Sequence, residues 1–334
     1  MATTDYRQEL RLWSERLIAP GGLPGEWFAA GNALYALFKQ ISGIDERDAA
    51  FREDVVLPSG KAIAPLWAAL CLKDCVRTRA FLRGTLAAIE EAHHKFPGEK
   101  IHVLYAGCGP FATLMLPLVP FLAEGSIEFT LLDVAPKNIE LVQKMVAAFG
   151  AAPFVREIVQ ADATSFQPVE PVHIVVVEMM QVGLRSEPQV AAVAHLASCL
   201  KPGGVMIPER IDVFAGLLHP GQNTRRMTDP DWVGGPVYHL LEPGFSLTAA
   251  PADWQMLMDG RTQEIPLPAD RDPAYSQLCL FSTLNVYGEE RLNVWDSGLT
   301  QPVLLHRLDA EERPKALHLW YRCGSDPGFE FRLL

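Results

Sequence analysis

Gly107, Gly109, Asp133, Asp162 and Glu178 are the residues whose types and spacing could do chemistry. The two glycines flank Cys108 in Ala106-Gly107-Cys108-Gly109-Pro110, where the backbone can turn sharply and a ligand can approach it closely. Asp133 follows the second glycine by 133 − 109 = 24 residues. A carboxylate that accepts from ribose hydroxyls belongs roughly there in a doubly wound fold. A glycine turn followed by such an acid is a pattern for binding a nucleoside or a nucleotide.

The elements that must position these residues can be read from hydrophobic runs. Ile101 to Tyr105 is long enough for a buried strand and too short for a helix, and Ile127 to Leu132 is a second such run ending in Asp133. Between them a helical pattern runs through Phe111, Leu114, Met115 and Leu118. A helix with Ile139, Leu141, Val142, Met145 and Val146 follows, then a strand from Phe154 to Val159 that leads to Asp162. His173 to Val177 runs straight into Glu178, a helix covers Val190 to Leu200 and stops at Lys201-Pro202-Gly203-Gly204, and Val205 to Ile207 is a further strand. Alternating strand and helix from about 99 to 207 predicts a parallel sheet with helices on both faces. In such sheets ligands sit beyond the carboxyl ends of the strands. Gly107, Asp133, Asp162 and Glu178 all lie at such ends, so four strands point polar groups at one crevice.

Two ligands suit that turn. A dinucleotide site prefers G-x-G-x-x-G, and here Ala112 stands at the third glycine position. S-adenosylmethionine brings no pyrophosphate to a helix N-terminus, so G-x-G alone suits it better. A dehydrogenase is the weaker expectation for that reason.

Residues 1–95 read as a helical cap. Leu10, Trp13, Leu17 and Ile18 recur at helix spacing, as do Leu34, Leu37, Phe38 and Ile41, with Pro20 to Gly25 between the two sets. A turn at Leu57-Pro58-Ser59-Gly60 precedes a longer helical pattern from Pro65 to Ala92. Trp13, Trp27 and Phe28 are expected to pack in the core or a lid. The span 96–208 holds the sheet, and 209–334 changes to short strands, at Ile211–Leu218, Leu278–Val286, Val303–Arg307, Leu317–Tyr321 and Phe329–Leu333. Those predict an antiparallel β domain, barrel-like or a sandwich, with a less regular connection from Pro220 to Asp272. The fold class is therefore α/β, a Rossmann-like doubly wound sheet with an N-terminal helical cap and a C-terminal antiparallel β domain.

Composition excludes several classes. The 334 residues are 49% hydrophobic, yet no run of eighteen is apolar throughout, so no membrane span is expected. Met1-Ala2-Thr3-Thr4-Asp5 lacks the basic and apolar regions of a signal peptide. The six cysteines are scattered, which reads as reduced and cytoplasmic. Cys71 and Cys75, one helical turn apart, read as core thiols because nothing completes a metal site with them. A net charge of −11 without a basic patch argues against a nucleic-acid partner.

Three segments carry a resemblance to the class I S-adenosylmethionine-dependent methyltransferases, and among them to the protein arginine methyltransferases. Leu72-Lys73-Asp74-Cys75-Val76-Arg77-Thr78 is similar to the L-K-D-x-V-R-T segment before their sheet. The resemblance implies that Arg77 grips the methionine carboxylate of the cofactor, a pairing suited to two parallel hydrogen bonds. Glu178-Met179-Met180 through Glu187 resembles the double-glutamate loop, with 187 − 178 = 9 residues between the acids. Glu178 and Glu187 would then hold a guanidinium or another cationic amine and orient its lone pair. Ser186-Glu187-Pro188 also reads as a helix start. Ile207-Pro208-Glu209-Arg210 is similar to the P-x-R junction between sheet and barrel. By position, Gly107 and Gly109 would lie against the cofactor, Asp133 would take the ribose hydroxyls, and Asp162 would meet the adenine amine with Ala163 beside it.

The chain departs from that pattern where the T-H-W motif belongs. The nearest segment, Ser297-Gly298-Leu299-Thr300-Gln301-Pro302, has neither histidine nor tryptophan. A longer helical cap that could close over the pocket favours a small molecule over a protein tail, while the sealed cap, the missing motif and the lack of an obvious acceptor site also suit the ring-closure alternative below. The expectation is methyl transfer from S-adenosylmethionine to a nitrogen of a small cationic acceptor, arginine-like or an amine metabolite, with Glu178 and Glu187 as catalytic residues and no metal. An alternative keeps the cofactor but closes its own aminobutyrate arm into azetidine-2-carboxylate, releasing methylthioadenosine, with Glu178 or a nearby tyrosine as base. The turn Gly107-Cys108-Gly109-Pro110 is similar to that of the nicotianamine synthases, which also bears on this alternative. A non-catalytic scaffold is disfavoured, since buried carboxylates are expensive to desolvate. Relatives of this type are often homodimers, although no dimerisation arm is legible.

Overall fold

The computed structural model describes residues 5–228, 236–248 and 250–334. Residues 1–4, within the stretch read for a leader, lie outside the described residues, as do 229–235 and 249 of the irregular connection.

Two helices open the chain, α1 (Tyr6–Ile18) and α2 (Pro24–Ser42). Asp5 caps α1 by accepting from the backbone of Arg7, and Gly43 ends α2 in the left-handed region at φ 76°. Phe38 of α2 packs edge-on against Phe111 at 5.4 Å and, tilted by 47°, against Phe149 at 5.1 Å, so the cap shares the core of the sheet. Trp13 and Trp27 are partly buried against that core, and the Arg79 guanidinium sits over Trp27. Phe28 faces solvent, 45% exposed, contrary to the core or lid role expected of it.

A hairpin follows, β1 (Val55–Leu57) and β2 (Gly60–Ala62), where only a turn was expected. The single helix read from Pro65 to Ala92 is two, α3 (Pro65–Leu70) and α4 (Cys75–Lys95), joined by a 3-10 turn. Asp74 makes the break. Its side chain accepts from the Arg77 N–H, which fits it to cap a helix and not to continue one.

The central sheet runs β3 (Ile101–Ala106), β4 (Ile127–Asp133), α5 (Pro136–Ala148), β5 (Val155–Gln160), β6 (Val172–Val177), α6 (Gln189–Leu196) and β7 (Leu200–Ile207). Its five strands are parallel, in the order β5-β4-β3-β6-β7. β3 and β6 are buried at every position, as strands covered on both faces must be. Two expectations are corrected here. Phe111 to Leu118 forms turns and a 3-10 helix, Leu116–Phe121, in place of an α-helix. Pro110, Pro117 and Pro120 withhold the N–H groups an α-helix needs, and Ala112 is left-handed at φ 42°. Lys201 to Gly204 lies inside β7, not at a helix end, and its register against β6 shifts near Gly203, which sits at φ 84°.

The remainder is mainly antiparallel: β8 (Arg210–Leu218), α7 (Pro220–Thr228), β9 (Tyr238–Leu240), β10 (Phe245–Thr248), α8 (Pro251–Met258), β11 (Thr262–Pro266), β12 (Gln277–Tyr287), β13 (Glu290–Leu292), β14 (Val303–Arg307), β15 (Ala316–Arg322) and β16 (Gly328–Leu333). Among the described residues β8 and β12 pair centrally, flanked by β9, β10, β13 and β14, while β11, β15 and β16 form a second sheet. Among its described residues, the connection expected to be irregular thus holds two helices and three strands.

α4 fastens this domain to the rest. Gly84 lies where a Cβ would come within 2.9 Å of the Val286 side chain, Tyr287 donates to Glu91 at 2.7 Å, and Arg83 donates to Glu290 at 2.6 Å.

Candidate active site

A cavity of about 300 Å3 opens at the carboxyl ends of β3, β4, β5 and β6, and every residue singled out in the sequence stands on its wall: Arg77, Gly107, Gly109, Asp133, Asp162, Ala163, Glu178 and Glu187.

The glycine turn is built by sterics. Gly107 and Gly109 sit at φ 75° and 62°, where a side chain is strained. A Cβ on Gly107 would also fall 2.2 Å from the Met179 side chain, so Met179 occupies the space that this glycine leaves. The Gly107 N–H donates to Leu132 O, and the Gly109 N–H donates to Asp133 Oδ2 at 2.9 Å. Asp133 therefore closes the turn as well as facing the cavity. Its Oδ1 accepts from Ala135 N at 2.9 Å and from Asn138 Nδ2 at 3.1 Å. Burial raises its pKa, and these donors offset that in part. Asp162 Oδ1 accepts from both the N–H and the hydroxyl of Thr164 at 2.8 Å, so one oxygen shapes a turn.

Arg77 and Glu178 form an ion pair at 3.1 Å, with side chains only 8% and 12% exposed. Burial opposes the Arg77 charge, but Glu178, with Cys71 and Asp74 behind it, outweighs burial and holds the guanidinium charged. Burial raises the Glu178 pKa against the pull of Arg77, with Asp74 adding to the rise. Glu187 is more extreme. Burial first, and then the nearby Glu178, push it up to about 8, against smaller pulls from Gln181, Arg77 and Lys61.

The loop between the two acids is tied down by hydrogen bonds. Gly183, Leu184 and Ser186 are all left-handed, and none of this could be read from periodicity. Tyr321 donates to Leu184 O at 2.7 Å, Ser186 donates to Pro327 O, and Gln189 bridges Met179 N and Val177 O. α6 starts at Gln189 with no side-chain cap, so Glu187 precedes the helix without capping it.

The hairpin braces the same loop from the other side. Lys61 N donates to Ser186 O at 2.8 Å, and Gly60, at φ 142°, leaves room where a Cβ would lie 2.8 Å from that oxygen. Gly60→Ala is therefore expected to displace the Glu187 loop and to lower stability by roughly 1–3 kcal/mol. Amide exchange across 182–188 checks it, since unchanged protection there would exclude the brace.

Several wall residues were not anticipated. Leu57, Ala62 and Ile63 come from the hairpin, whose β-branched residues around Pro58-Ser59-Gly60 were the available signal. Tyr105 and Asn138 had no signature of a wall position, whereas Met179 and Leu299 lie in the segments singled out for the two glutamates and for the missing motif. Cys75 is buried as expected of a core thiol, whereas Cys71 stands on the wall. Gly298 and Leu299, in the segment nearest to the missing T-H-W motif, complete the wall. Asp74 Oδ2 ties that segment down by accepting from Ser297 Oγ at 2.7 Å and Gly298 N at 2.9 Å. Leu299 contributes an aliphatic side chain to the wall there. Among the described residues no group of three or more His, Cys, Asp or Glu could hold a metal ion, and no helix is long and apolar enough to cross a membrane.

No protein-family model matches the chain, and no curated protein matches it. Solved structures do. One is described as the Trypanosoma brucei PRMT1 enzyme-prozyme heterotetrameric complex with AdoHcy, at a TM-score of 0.53 and 15% identity, covering 79% of this chain and 91% of that one. Another is the open conformation of Arabidopsis thaliana protein arginine methyltransferase 10, at 0.52 and 13%, covering 78% and 96%. The chain has the fold of these arginine methyltransferases, with a parallel sheet, N-terminal helices and an antiparallel β domain.

Proposed function

We propose that the chain transfers the methyl group of S-adenosylmethionine to a nitrogen of a small cationic acceptor, arginine-like or an amine. The observation that carries this is the convergence of Arg77, Glu178 and Glu187 with the glycine turn and Asp133 on one cavity. The residues suit the cofactor. Arg77 would hold its carboxylate, Asp133 its ribose, and Asp162 with Ala163 its adenine. When bound it supplies a methyl group on a sulfonium, open to in-line displacement.

The chain's own contribution is positioning and desolvation. Glu178 fixes the Arg77 guanidinium, and Glu187, in its ionised form, would orient the incoming nitrogen. Leu57, Ile63, Pro188 and Leu299 keep water from that end. A guanidinium has no free lone pair to offer in water, so flanking carboxylates in a dry site are what a nitrogen acceptor of this type requires. At about 300 Å3 the cavity is at the small end of ligand pockets, which supports a small acceptor.

That small volume also favours the second reading, closure of the cofactor's own aminobutyrate arm. Tyr105 stands on the wall, its hydroxyl held protonated by burial and by Glu178, which leaves Glu178 as the base for the amine. A cytoplasmic homodimer is part of the proposal. The free cysteines suit a reducing compartment, and sedimentation tests the dimer.

The deciding experiment incubates the pure protein with S-adenosylmethionine alone and reads products by mass spectrometry. Inert cofactor, with S-adenosylhomocysteine appearing only once an amine or guanidine is added, is the expected result. Methylthioadenosine without any acceptor would sink methyl transfer and support ring closure, with azetidine-2-carboxylate as the co-product that identifies it.

A further inference from the structure

The cavity can neutralise one carboxylate brought in by a ligand. Among the described residues on its wall Arg77 is the one cationic side chain, against the carboxyls of Asp133, Asp162, Glu178 and Glu187. Arg77 already pairs with Glu178, and the rest of its fork is assigned above to the carboxylate of the cofactor. An acceptor with a carboxylate of its own would need further donors, because a charge taken out of water is costly unless it is paired.

The acceptor end does not supply them. Leu57, Ile63, Pro188 and Leu299 are apolar there. The N–H groups of Glu187, Gly298 and Leu299 are spent inside the fold, on Arg185 O, Asp74 Oδ2 and Ser297 Oγ, and Pro188 has none to give. Lys61 is not part of the wall, and its Nζ donates to Asp54 at 2.7 Å. We propose that the acceptor is a cationic nitrogen on a hydrocarbon chain with no free carboxylate, an amine or a guanidinoalkane and not a free amino acid. The carboxylate of an amino acid would stand unpaired among hydrocarbon and beside acids of its own sign. This rests on the methyl-transfer reading and narrows its acceptor class.

The test uses two matched pairs, L-arginine with its methyl ester and L-lysine with its methyl ester, so that only the carboxylate differs within a pair. Calorimetry on the full chain saturated with S-adenosylhomocysteine reads binding, and S-adenosylhomocysteine formed from S-adenosylmethionine reads turnover. At least one ester is expected to bind and to turn over, with its free acid at least about a hundredfold weaker in both Kd and kcat/KM. Agmatine or cadaverine, the corresponding carboxylate-free compound, should behave as that ester does. A free acid that binds as tightly as its ester would overturn the proposal and leave methyl transfer standing. Esters that bind in preference to their acids without any turnover would remove methyl transfer and leave the exclusion of carboxylates standing. A complex that binds none of these compounds would overturn both.

Discussion

Replacing Glu187 by glutamine is expected to abolish acceptor turnover while making the protein more stable. The carboxyl is 6% exposed, with burial and Glu178 raising its pKa to about 8. The folded state therefore keeps a proton that the unfolded chain releases from about pH 4.5 upward. Stability from this group is fully present below that value and is lost as pH rises through 8. Glutamine cannot ionise, so Glu187→Gln should match the parent near pH 4.5 and exceed it by roughly 2 kcal/mol at pH 6, at about 1.4 kcal/mol per pH unit. Urea unfolding at several pH values measures the gap. Parallel curves for the two proteins would show that the carboxyl titrates normally.

Activity should move the opposite way. Only ionised Glu187 can orient a cationic nitrogen, so kcat/KM for the parent should rise with pH to an apparent pKa near 8, which belongs to the Glu178–Glu187 pair as a whole. The glutamine variant should lose at least about a hundredfold, the effect of losing the geometry of the reacting nitrogen. Retained turnover would exclude Glu187 from the chemistry.

Removing one partner of the Arg77–Glu178 pair should have the largest effect on stability. With side chains 8% and 12% exposed, Glu178→Ala leaves a guanidinium buried and unpaired, at a cost of about 3 kcal/mol. Removing both charges, as in Arg77→Met with Glu178→Leu, should restore most of that, because an apolar pair of similar volume avoids the desolvation of two ions. Binding should not recover. S-adenosylhomocysteine is expected to bind the double variant about a hundredfold more weakly, since a clamp for its carboxylate is gone. Chemical denaturation and calorimetry separate the two effects. A double variant as unstable as Glu178→Ala would mean that the pair matters through its shape and not its charge.

The parallel sheet and the strand ends bearing Gly107, Asp133 and Glu178 were legible because β3, β4 and β6 are short, mostly apolar runs bounded by a turn or a polar residue, whereas β5, with Arg156, Glu157 and Gln160, is only partly apolar. Periodicity misled where proline intervened. Phe111, Leu114 and Leu118 keep helical spacing, but Pro110, Pro117 and Pro120 deny them the hydrogen bonds. It misled again at Asp74, where one side-chain acceptor splits a helix that hydrophobic spacing alone would run through. Beyond Glu178, Glu187 and their loop, little of the remaining wall was legible. Leu57 and Ala62 come from strands three residues long, too short for a period of two to register, and Leu299 arrives from the far end of the sequence.

The bond from Asp74 to Ser297 spans 223 positions of the chain. A ribosome therefore releases Arg77, the glycine turn and both glutamates well before the residues that finish the wall around them. Closing so long a loop is opposed by an entropy that short-range zipping does not meet, so this seam forms only when the late strands dock. Until then the growing polypeptide presents an open trough, with water free to reach the Arg77–Glu178 pair from the side that Gly298 and Leu299 later cover. On the proposed reading the site is completed only once Gly298 and Leu299 have been made.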